Sequence, residues 1–105
     1  MTHVKKLELE KNPKNKAIIK ALQQIKDPEL MVDIWTLGLI YNIKKSEKKV
    51  TIDMTFTSPI CPYGPQLVNE VKEGMKKIKL TAQIELVFDP VWEPSEEVKE
   101  ILGIA

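Results

Sequence analysis

Cysteine and histidine are almost missing from this chain, which has one of each in 105 residues. A lone thiol, Cys61, closes no disulfide within the chain. With only His3 beside it, a single chain cannot supply the four Cys and His ligands of a closed zinc or iron–sulfur centre. His3 is also far from Cys61 in sequence, which argues against a hydrolytic Cys-His pair. No apolar run reaches the roughly 18 residues of a membrane span, and no export signal is recognisable, so the expected setting is a reducing cytoplasm with no membrane partner. An excess of one charge is lacking too: 16 Lys plus Arg stand against 15 Asp plus Glu, a net +1. Such a balance creates no field to gather a polyanion. Neither a GXXG clamp nor an RNP-type aromatic pattern occurs, and no nucleic-acid partner is expected.

What is present describes one small domain, with 43% hydrophobic and 30% charged residues, ordinary values for a globular chain. Residues 1–12 read as a loosely held, lysine-rich arm, in which Leu7 and Leu9 alternate as a short edge strand would. Residues 13–105 form the domain. Asn12 and Pro13 resemble an N-cap and first helical position, followed by Ile18, Ala21, Leu22 and Ile25 at helical spacing. The Asp27-Pro28-Glu29 run ends that helix, because proline lacks an N–H and disfavours helical geometry before it. Gly38 allows a turn into a strand over 39–45. Val50, Ile52, Met54 and Phe56 then alternate with polar residues as a second strand, joined to the first through the short connection at Ser46-Glu47-Lys48. Pro65 opens a helix striped by Leu67, Val68, Val71, Met75 and Ile78. A third strand alternates at Ala82, Ile84, Leu86 and Phe88, and Ser95 caps a last helix closed by Gly103. The order helix-strand-strand-helix-strand-helix predicts an α+β fold, a two-layer α/β sandwich with a small mixed sheet. Strands two and three would run parallel if they share a sheet, and their C-terminal ends would then bring Thr57, Cys61, Asp89 and Trp92 to one rim.

Cys61 sits just before the second helix, whose unpaired N–H groups and dipole favour thiolate over thiol. Two readings fit it: a reactive ligand or nucleophile, or a small buried hydrophobe in a tight turn. Asp27 and Glu29 either brace the turn around Pro28 or face the rim. Thr55, Thr57 and Ser58 are strand-end hydroxyls, and Trp35 and Trp92 read as packing groups. Cysteines from two chains could together build an incomplete, labile metal site.

Taken together, "IKDPEL", "DIWTLGLIYNI", "VTIDMTFTSPICPYGPQLVNEVKEGM" and "LVFDPVWEP" resemble the iron–sulfur cluster assembly domain of PaaD-like and SufT-like proteins, over about Ala17 to Ala105. The resemblance implies a two-layer α+β fold and a non-enzymatic role in maturing iron–sulfur proteins. It implies a functional cluster of Asp27, Glu29, Thr55, Thr57, Ser58, Cys61 and Trp92, with Cys61 the reactive member and a transient iron–sulfur ligand. The partners expected from it are an assembly scaffold or client apoproteins. A homodimer is expected only if two chains share the cluster. Met31 stands where many members carry a smaller residue or proline. No cysteine-rich tail of the PaaD kind follows Ala105, so a stand-alone maturation factor is expected over a ring-hydroxylase accessory. A metal-free adaptor that recruits clients or scaffold is the alternative, and a thiol-dependent enzyme is a third.

Overall fold

Alternation over residues 49–54 sets the centre of the sheet. In a computed structural model, which describes residues 8–57, 63–89 and 91–103, strand β2 (Lys49–Met54) lies between β1 (Ile40–Ser46) and β3 (Thr81–Leu86). Val50, Ile52 and Met54 share one face of β2 and are almost wholly buried. Each contributes roughly 2 kcal/mol by leaving water. β1 runs antiparallel to β2 with Ile43 opposite Ile52, and β3 runs parallel with Ile84 opposite Ile52. The mixed sheet and the antiparallel hairpin thus match the sequence expectation. Glu47, with φ of +53°, makes the reversal between β1 and β2.

The β1 strand departs from simple alternation. Its pairing jumps from Ile40 opposite Met54 to Asn42 opposite Asp53, leaving Tyr41 as the extra residue of a bulge. The spacing of Ile40 and Ile43, three rather than two, follows from it: with one residue unpaired, both side chains return to the buried face.

Helices cover the apolar face. A 3-10 turn (Pro13–Asn15) leads into α1 (Lys16–Leu22), and the β2-to-β3 crossover is α2 (Gly64–Lys77). Asn12 accepts the Lys14 N–H at 3.0 Å and so caps the 3-10 turn rather than the α-helix itself. Leu67, Val71 and Met75, one turn apart, are fully buried on α2. α1 stops at Leu22, well short of Pro28, because bonds such as Gln24 N–H to Ala21 and Ile25 N–H to Leu22 tighten the chain into a turn. Ile25 still joins the core from beyond the helix end. The last helix, α3 (Glu96–Leu102), begins at Ser95, whose hydroxyl accepts the Val98 N–H at 3.2 Å, and ends on Gly103 at φ +75°. Both caps agree with the sequence reading.

The arm needs correction where it is described. Residues 8–11 are helical rather than extended, and Leu9 is buried in the core. Asn15 holds this segment by donating its side-chain amide to the Leu9 carbonyl at 3.2 Å, and the Trp35 indole donates to Glu10 Oε1 at 3.2 Å. Apolar burial of one leucine plus two hydrogen bonds outweighs a loose state for this stretch. Leu7 and His3 lie outside the described residues.

Candidate functional site

The C-terminal ends of the parallel strands β2 and β3 lie at the same edge of the sheet, as does the start of antiparallel β1. Residues leaving these ends build a rim. Thr55 follows β2 and is fully buried, and its N–H donates to the Leu39 carbonyl at 2.8 Å. Its side-chain hydroxyl is buried with no full hydrogen bond. The Tyr41 phenol lies against it: burial lifts the Tyr41 pKa above its ordinary value, and the Thr55 hydroxyl draws it part of the way back. The bulge is what turns Tyr41 to this position. Thr57, half-buried, leads the chain away from the sheet.

Trp92 is held on the same rim. Its indole N–H donates to the Leu37 carbonyl at 2.6 Å, and the ring nitrogen stands 4.0 Å from the point where a Cβ on Gly38 would lie. Gly38 has φ of +80°, so the turn itself selects glycine there. From Leu37 the backbone reaches Leu39 and through it Thr55. Two hydrogen bonds and the backbone from Leu37 to Leu39 thus link Trp92 to the buried Thr55.

Asp27 and Glu29 build a different feature. Asp27 is buried, and its Oδ1 accepts the N–H groups of Glu29 at 2.8 Å and Leu30 at 2.9 Å. Its own backbone closes the loop, donating to Val32 and accepting from Met31. The turn-bracing reading of Asp27 thus accounts for its side chain. Met31 completes the turn with φ of +60° and an exposed side chain. Glu29 is exposed. Among the described residues, no hydrogen bond joins Asp27 or Glu29 to Thr55, Thr57 or Trp92. Ser58 and Cys61 lie outside the described residues. Among those described, no group of three His, Cys, Asp or Glu side chains is placed to hold a metal ion.

A mainly apolar cleft of about 340 Å³ opens beside the rim, lined by Phe56, Gly64, Pro65, Val68 and Leu86 together with Asn69 and Lys72. Phe56 packs on Phe88 with ring centroids 5.9 Å apart and the planes tilted by 58°. Alternation assigned Phe56 and Phe88 to the core face, and Phe56 is indeed buried in the core, whereas Phe88 is exposed at this edge. Sequence reasoning missed Tyr41 here, where only the three-residue spacing of Ile40 and Ile43 signalled the bulge that redirects it.

A three-stranded mixed sheet under helices, with a rim joining strand ends, a Trp-anchored segment and a helix start, defines a small α+β domain of one recognisable class. The family model described as iron-sulfur cluster assembly protein matches residues 15–86, and the chain belongs to that family as a SufT-like member. A Bacillus subtilis (strain 168) protein, "Fe-S protein maturation auxiliary factor YitW", is 42% identical over 94 residues, covering 83% of this chain and 91% of that one. The Staphylococcus aureus (strain USA300) "Fe-S protein maturation auxiliary factor SufT" is 38% identical over 85 residues, covering 75% and 97%. Among solved structures, the crystal structure of a domain of unknown function from Bacillus anthracis superimposes with a TM-score of 0.77 at 33% identity, covering 87% of this chain and 92% of that one. No helix among the described residues is long and apolar enough to cross a membrane.

Proposed function

We propose that this protein is a non-enzymatic accessory factor that helps assemble iron–sulfur clusters or deliver them to client apoproteins in the cytoplasm. The observation that carries this reading is the match of residues 15–86 to the family model, together with relatives named as maturation auxiliary factors over most of their length. The cluster is cargo. Cys61 offers it a single thiolate from the loop between β2 and α2, and the remaining ligands come from a client, a scaffold or a second copy. A donor set that incomplete favours release over storage.

A metal-free adaptor that only recruits clients or scaffold is the second reading. Anaerobic reconstitution with iron and sulfide separates the two. Charge-transfer absorbance in the wild type that disappears in Cys61→Ala is the outcome expected for the carrier. If neither protein develops it, and capture of assembly partners survives Cys61→Ala, the adaptor reading replaces the carrier.

A further inference from the structure

The two edges of the sheet are unlike. Along β1 the outer edge is broken by the bulge at Tyr41 and carries the exposed Lys44 and Lys45, two devices that discourage strand pairing. The outer edge of β3 has neither. Thr81 and Val87 donate their N–H groups inward, to Lys48 and Met54 of the β2 side. By alternation Ala82, Ile84 and Leu86 therefore turn their N–H and C=O groups outward, and no bond to them occurs among the described residues. Leu86 is also 47% exposed, beside the cleft that it helps to line.

We infer that β3 pairs antiparallel with β3 of a second copy of this chain, giving a continuous six-stranded sheet. The choice of a second copy follows from charge. Centring the two-fold axis on Ile84 sets Ile84 against its symmetry mate, Ala82 against Leu86, and Gln83 against Glu85. Within the strand no like charges then face each other, and a large side chain meets a small one on the helix-covered face. On the other face Gln83 already donates to Glu85 Oε1 within one chain, and the seam offers the same donor and acceptor across two chains. Shifting the centre to Glu85 instead would oppose two carboxylates.

This surface is independent of the cluster reading. In an antiparallel seam the two rims lie at opposite ends of the paired strands, separated by about 20 Å for six residues of strand. The β3 dimer is thus not the pair that would share a cluster. Its failure leaves the proposed function standing, and failure of that function leaves the dimer standing.

Sedimentation and light scattering on the full chain test the inference. The wild type is expected to dimerise, and Gln83→Glu, which opposes two carboxylates twice across the seam, is expected to raise Kd about tenfold or more. Adding Glu85→Lys to that variant restores opposite charges and is expected to restore the dimer. Amide hydrogen exchange supplies a second readout that a folding defect does not imitate. Ala82, Ile84 and Leu86 are expected to gain protection as concentration rises, while Gln83, Glu85 and Val87 stay protected throughout. A wild type that remains monomeric up to about 1 mM, or a dimer indifferent to Gln83→Glu, overturns it.

Discussion

The Trp92 indole N–H donates to the Leu37 carbonyl at 2.6 Å, tying the segment before α3 to the loop that feeds β1. These residues are 55 apart in sequence, so one hydrogen bond closes a long loop at the rim. Trp92→Phe keeps most of the ring and removes the donor. The expected cost is about 1 kcal/mol for the bond and up to about 3 kcal/mol if the Leu37 carbonyl stays dry. Urea denaturation measures it, and faster exchange of amides in residues 91–95 would place the loosening there. An unchanged midpoint would mean that water replaces the bond without loss.

Asp27 yields a sharper contrast. Its Oδ1 receives two backbone N–H groups in a buried turn, so Asp27→Asn, which keeps an acceptor oxygen, is expected to cost less than Asp27→Ala. The alanine change should cost about 2 kcal/mol, within the range for lost caps and orphaned buried donors. Glu29→Gln, at an exposed position, should leave stability within about 0.5 kcal/mol. Equal losses for both Asp27 variants would show that charge, rather than acceptor geometry, is what the turn requires.

These two sites differ in how far the sequence revealed them. Pro28 beside Asp27 is a local turn signal, and the bracing role could be read from three neighbouring residues. The Trp92 bond spans elements that meet only after the sheet forms, so local pattern left it as generic packing. The same division runs through the fold. Alternation marked β2 and β3, and Ser95 and Gly103 marked α3, because each signal is carried by nearby residues. The helical segment at 8–11 and the early stop of α1 at Leu22 were hidden, since tertiary contacts of Leu9 and the pairing of Lys26 with Asp33 decide them. Thr55 was legible as a strand-end hydroxyl. Its complete burial was not, because a bulge on the neighbouring strand positions the Tyr41 ring near it.

Gly64 is expected to resist even a methyl group. A Cβ there would stand 2.7 Å from Phe56 Cε2 and 2.8 Å from Phe56 Cζ, so the ring must shift. Phe56 in turn packs on Phe88, which transmits the displacement toward the end of β3. Gly64→Ala should gain some helix propensity at the start of α2 and lose more to overpacking, for a net cost of about 1–3 kcal/mol. Phe56→Leu in the same background makes room and should recover part of it. A Gly64→Ala protein as stable as wild type would show that the rim accommodates the ring elsewhere.

Thr55→Val separates function from stability at the rim. Valine has nearly the shape of threonine and lacks the buried hydroxyl that makes no full hydrogen bond, so the variant is expected to be about as stable as the wild type or up to about 1 kcal/mol more stable. The Tyr41 pKa gives an internal check with a definite sign. Burial holds it above the ordinary 10.0 and the Thr55 hydroxyl lowers it; removing that hydroxyl should push the phenol higher still in an alkaline titration followed by tyrosinate absorbance. Because the folded pKa is raised, the neutral phenol contributes stability fully below pH 10.0, and that contribution is lost as pH rises through the folded value. Thr55→Val should therefore deepen the alkaline loss of stability, which still begins at pH 10.0 but continues to a higher pH, while weakening cluster delivery to apoprotein. A variant that is both destabilised and unshifted at Tyr41 would instead mean that the hydroxyl is an ordinary structural bond, and that Thr55 has no part in the site.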